Sequence, residues 1–176
     1  ARLTVAPDLP YLAGQHFLLN GRTDVEQFFF ADADRNGQIA RMVWVQFEHK
    51  LPGDGGRYDY PPAPLTAIGG LSFVHDTKVY TDYAGLKPAA GSDVEMARAL
   101  LAAHGLHLPA AASRVRMFHM PTQDNRSELM LIYAEALTPE QLPGDAGNDM
   151  PADQKYPALA ATMLAHVQGA LTIKPE

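Results

Sequence analysis

Two long β-forming runs flank a tight corner near the start of this chain: DVEQFFFAD at 24–32 and QIARMVWVQFEHK at 38–50. Both are dense in aromatic and β-branched residues, which fit a pleated, half-buried surface. Between them stands Asn36-Gly37. Both residues accept positive φ at low cost, and this pair between β-rich runs is a strong hairpin signal. A long antiparallel hairpin therefore constrains everything that follows.

The same corner begins like a calcium loop. Asp32, Asp34, Asn36, Gly37 and Ile39 match the first, third, fifth, sixth and eighth positions of an EF-hand loop. The twelfth position is Val43, which supplies no oxygen, and the flanks read as strands rather than helices. The turn is the preferred reading, and no metal is assigned.

The rest of the chain continues without regular β-α alternation. LSFVHDTKVYTDY at 71–83, SRVRMFHM at 113–120 and SELMLIYAEAL at 127–137 read as strands, and HFLLNG at 16–21 as a further one. Residues 1–14 read as an irregular lead-in, and 51–70 as a long loop rich in proline and glycine. One central helix is marked at both ends. Ser92 is its N-cap, Glu95 completes a capping box, Gly105 is its stop, and Val94, Ala97, Leu100 and Leu101 form its apolar stripe. PALAATMLAHVQGALTI at 157–173 reads as a C-terminal helix with Leu159, Met163, Leu164, Val167 and Leu171 on one side. This order gives the α+β class: a curved antiparallel sheet or partial barrel of about six strands, packed by one central and one C-terminal helix. The 176 residues are expected to form a single domain, which needs no staples to bury a core.

Composition removes some partners. The formal charge is −6 with no Lys/Arg cluster, so nucleic acid is not expected as a partner. No apolar run is long enough to cross a membrane, and no basic amphipathic segment suits a lipid surface. The expectation is a soluble protein, cytoplasmic or periplasmic. Frequent Ala, Gly and Pro suggest a bacterial source. Cysteine is absent, which excludes disulfides and thiolate chemistry. No common catalytic signature is present, and no cofactor is implied.

Strand parity supplies the candidate site. Side chains two apart on a strand face the same way. Val43, Val45, Phe47 and His49 share one face, as do Leu71, Phe73, His75 and Val79, and likewise Val115, Met117 and His119. If the strands are neighbours, His49, His75 and His119 could converge beside Phe47 and Phe73 in a concave sheet. Together they could hold a divalent metal, and one alone could act as a general base oriented by Asp76, Glu48 or Glu135. The plainer reading of each is a core or rim histidine with a backbone partner. Arg41 alternates onto the same face. It could clamp a carboxylate ligand, although an ion pair with Glu26, Asp32 or Glu128 is the commoner outcome. Trp44 points the other way, so that strand is expected to be covered on both sides. Tyr58 and Tyr60 could close over a pocket, but are better read as pinning the long loop to the body.

The primary expectation is thus a binding protein for a small, partly apolar molecule, with His49, His75, His119, Arg41, Phe47 and Phe73 as ligand-binding candidates. A histidine-dependent, possibly metal-dependent, hydrolase or proton-transfer enzyme is the alternative. A homodimeric interaction module is a further one.

Overall fold

A computed structural model describes residues 2–174. The fold is α+β, built on an open antiparallel sheet, and a curved partial barrel is consistent with its unclosed strand path. The elements in chain order are β1 (Arg2–Val5), β2 (Tyr11–Leu19), β3 (Thr23–Ala33), β4 (Ile39–Lys50), β5 (Leu65–Ile68), β6 (Leu71–Tyr80), α1 (Asp93–Ala103), β7 (Ala112–His119), β8 (Ser127–Ala136), β9 (Met150–Pro151), α2 (Ala152–Lys155), α3 (Pro157–Ala170) and β10 (Leu171–Lys174). The main sheet runs β2-β3-β4-β8-β7-β6-β5, with the short β9 pairing with β6. That makes eight strands where the sequence suggests about six. β1 and β10 form a separate two-stranded ribbon.

The β3–β4 hairpin is the long one that the sequence requires, with Phe29 opposite Trp44 and Phe28 opposite Val45. Its corner spends carboxylate oxygens on the backbone and on Arg41. Asp34 Oδ1 accepts from the Asn36 and Gln38 amides at 2.8 and 2.9 Å, and Asp32 binds Arg41 at 3.1 Å. The corner also docks on the loop after α1: the His107 amide donates to Gly37 O at 2.8 Å, and the Ile39 amide donates to His107 O at 2.9 Å.

The sheet is covered on both faces, as Trp44 requires. On one, Val43, Val45, Phe73, Val115, Met117 and Leu131 pack against Met163 and Val167 of α3 and against Leu171 and Ile173 of β10. On the other, Phe29, Met42, Trp44, Phe118, Met130 and Ile132 face Ala97 and Leu101 of α1. α1 has the expected cap. Ser92 Oγ accepts from the Glu95 amide at 3.2 Å. The Glu95 carboxylate reaches back one residue further than a standard capping box, accepting from the Gly91 amide at 2.6 Å. Gly105 ends the helix at φ 70°.

Three local readings change. The lead-in is not irregular, because Arg2–Val5 pairs with Leu171–Lys174 and Tyr11 already begins β2. The C-terminal helix stops at Ala170, and Leu171 belongs to the strand beyond it. Leu171 fits a helical stripe four residues after Val167 and equally the two-residue alternation with Ile173. Pairing with the other end of the chain decides between them, and short-range pattern cannot see that contact. The loop after β4 contains β5, whose four residues pair with Leu71–Val74.

No helix among the described residues is long and apolar enough to cross a membrane.

Candidate functional site

The odd-numbered side chains do share a face, and α3 and the β1–β10 ribbon fill it. His75 is only 4% exposed; its Nδ1 lies 4.0 Å from Asp153 Oδ1, too far for a hydrogen bond. Phe73 is fully buried, and its ring centroid is 5.5 Å from that of His119. The His119 Nδ1 lies 2.9 Å from Ser72 O, and His49 Nδ1 lies 2.9 Å from Ser127 Oγ. Phe47 is 42% exposed, edge-on to Phe28. His49 and His119 are thus held by separate local partners, and His75 Nδ1 is buried with none. Among the described residues no group of three or more His, Asp or Glu is placed to hold a metal ion.

Arg41 forms ion pairs with Asp32 and Asp8, each at 3.1 Å. It borders a cavity of about 300 Å³ with Tyr133, Glu135 and His166. There Glu135 Oε2 accepts from Tyr133 Oη at 2.9 Å and lies 2.8 Å from His166 Nδ1.

The larger opportunity lies on the opposite face, between the sheet and α1. This cavity holds about 420 Å³. Its floor consists of Met42 and Trp44 from β4 with Met130 and Ile132 from β8. Val94, Ala97 and Leu101 of α1 form its roof, and Tyr83 and residues 86–89 wall one side. Lys78, Tyr80, Arg114, Arg116 and Asp149 close the other end.

The hollow has a physical cause in the side chains under the helix. α1 contributes only Ala97 and Leu101 to the buried layer. On β6 and β7 the facing positions are Asp76, Lys78, Arg114 and Arg116, paired across the ladder. Long charged side chains cannot fill the space beneath a helix as Met163 and Val167 fill it on the other face, so a gap remains.

Two clamps hold the roof. The Arg98 guanidinium donates to Tyr83 O at 2.8 Å and to Ala84 O at 2.9 Å, and also to Leu86 O, fixing the side wall to α1. At the start of α1, a ladder of glutamines, Gln27 and Gln46 fully buried and Gln15 partly so, reaches from the sheet. Gln15 Nε2 donates to Gln27 Oε1 at 2.6 Å, and Gln27 Nε2 donates to Gln46 Oε1 at 2.7 Å. Gln27 also donates to Asp93 O at 3.1 Å, and Gln46 to Asp93 Oδ2 at 3.0 Å.

Beyond this ladder lies a pair of facing carboxylates, Glu48 and Glu128, directly opposite across β4 and β8. Tyr58 Oη donates to Glu48 Oε2 at 2.6 Å, and Tyr60 Oη donates to Glu128 Oε2. The two tyrosines thus pin the long loop. Tyr60 also stacks on Phe118 with centroids 4.1 Å apart, and the Arg116 guanidinium lies 4.8 Å from the Phe118 centroid. Burial pushes the Glu128 carboxyl up to about 7; the Tyr60 hydrogen bond and Arg116 oppose this, and the Glu48 and Asp93 charges add to it. Burial, then the hydrogen bond to the carboxylate, pushes both Tyr58 and Tyr60 well above the ordinary phenol value.

Three polar atoms of the cavity and the charged cluster at its end are buried with no hydrogen-bond partner in the chain: Trp44 Nε1, Arg114 Nε and Asp76 Oδ1, the last 3.5 Å from Arg114 Nη2. Sequence reading placed Trp44 on the right side of its strand but attached no ligand to it. Arg114 and Arg116, alternating with Val115 and Met117, were the available signal. Comparison of the chain with protein-family models, with curated proteins and with solved structures returned no match.

Proposed function

We propose that this protein binds a small, partly apolar molecule in the cavity between its sheet and α1. The observation that carries the reading is the cavity of about 420 Å³ itself, with the buried Trp44 on a floor shared with Met42, Met130 and Ile132 and charged side chains confined to its ends. The volume falls within the usual range for small-molecule sites, and the mixture of apolar walls with a few polar groups is typical of them.

Trp44 is the single tryptophan of the chain, so it reports on its own cavity. Titration with 1-octanol is expected to give a saturable change in its fluorescence. The substitution Ala97→Leu, which grows into the cavity from α1, is expected to weaken binding at least fivefold. A linear, unsaturable response, or equal binding by the variant, would contradict the reading.

A second reading, general-base chemistry, is favoured by one observation: His166 is oriented by Glu135 beside Arg41 and Tyr133. Arg41 is already matched there by Asp8 and Asp32. Little charge is left to hold a substrate, which makes binding beneath α1 the stronger reading.

A further inference from the structure

The geometry points to an amphipathic carboxylate as the occupant, its acid group held at Arg114 and its apolar body lying along Ile132 toward Trp44. This rests on the cavity beneath α1 being the binding site and adds the class of ligand.

The argument begins with a local charge count. Lys78 and Arg114 are cross-strand partners, and Arg116 stands two residues from Arg114 on the same face. Two carboxylates face these three cations. Asp76 Oδ2 accepts from Arg116 Nε at 3.1 Å and from Arg116 Nη2 at 2.9 Å, so that guanidinium is satisfied. Asp149 Oδ1 lies 2.9 Å from Lys78 Nζ. Arg114 receives only the remote oxygen of Asp76, with Nη2 3.5 Å away, beyond a good charge-assisted bond. Its guanidinium carbon lies 5.2 Å from the centroid of Tyr80, and its Nε is buried with no partner. One positive charge therefore remains unmatched in a protein whose net charge is −6.

A partly buried, unmatched guanidinium attracts an anion more strongly than one in open water, because the walls exclude screening solvent. Its planar fork suits a carboxylate in particular, which can take two parallel N–H donors. The other carboxylate on the cavity wall, Asp93, is occupied by Gln46 at the start of α1. A second anion would therefore meet repulsion there, while an apolar tail would not.

The apolar part follows from register. Trp44, Ile132 and Arg116 lie in one row across β4, β8 and β7, with Arg114 in the next. Two strand spacings separate the arginine strand from the tryptophan strand, about 10 Å, which a straight octyl chain spans.

The test compares octanoate, 1-octanol and octylammonium by Trp44 fluorescence on the wild-type protein. Octanoate is expected to bind at least tenfold more tightly than octanol, with octylammonium weakest. Raising the salt concentration should weaken octanoate alone. In Arg114→Gln, checked for folding by circular dichroism, the preference for octanoate over octanol should collapse to within threefold. If octanol or octylammonium binds wild-type protein as tightly as octanoate, the carboxylate assignment is overturned while the cavity stands. If none of the three saturates, the cavity reading fails and takes this one with it. A preference for octanoate that persists in folded Arg114→Gln would overturn the assignment of the head group to that residue.

Discussion

Replacing Gly37 by alanine is expected to lower the unfolding free energy by roughly 3 kcal/mol, as the sum of a backbone term and a packing term. The backbone at Gly37 has φ 81°, a region that costs an L-residue about 1–2 kcal/mol. A β-carbon there would sit 2.0 Å from Gly105 O and 3.1 Å from its carbonyl carbon. The obstacle is backbone, so it cannot rotate away, and the β3–β4 corner would have to lift off the loop after α1. Gly21→Ala is the matched control. Its φ is 66°, but nothing lies within 4 Å of the added carbon, so only the backbone cost of about 1 kcal/mol applies. Urea denaturation of both variants checks this. Equal losses at the two positions would mean that the corner does not dock where the contact with Gly105 places it.

The second large effect concerns Glu128. Its folded carboxyl titrates near 7, against an ordinary value of 4.5. Below 4.5 the folded and unfolded chains both carry the proton, and the contribution is fully present. Between 4.5 and 7 the unfolded chain releases it first, so stability falls as pH rises through that window. A shift of this size corresponds to about 3 kcal/mol lost by pH 8. In Glu128→Gln the amide oxygen can still accept from Tyr60, and no charge develops opposite Glu48. The stability difference between variant and wild type should therefore grow in favour of glutamine from pH 4.5 to 8 and level off above that. Thermal melts across this range measure it. A difference that stays flat with pH would show that Glu128 is not held neutral by its surroundings.

Much of this architecture is written in short-range pattern. Asn36-Gly37 sets the β3–β4 hairpin, Ser92 and Gly105 bound α1, and strand parity correctly groups Val43 with Phe73, Val115 and Met117. Parity cannot say which face a helix will fill. β8 is apolar on both sides, since LMLIYA shows no alternation. The choice falls to contacts distant in sequence, α3 against one face and α1 against the other. Phe73 on the histidine face therefore lies in the core covered by α3, Phe47 and His49 are exposed near the end of β4, and the cavity beneath α1 lies behind them. The polar groups around that cavity were legible only as types. Gln27, Gln46 and Glu128 are polar residues within β-forming runs, and nothing in short-range pattern marks all three as buried, as they are. They are tolerated there because each finds a partner: a second glutamine, Asp93 or Tyr60.

The location of the site can be read from a single resonance. Trp44 gives the one indole N–H signal in a ¹⁵N–¹H correlation spectrum. With 1-octanol added, that signal and the amides of Val94, Ala97 and Leu101 should shift together and saturate at one concentration, while those of Phe73, His75 and His119 stay in place. Saturable shifts centred on the histidine face with the indole signal unmoved, or no saturable shift anywhere, would contradict a binding cavity beneath α1.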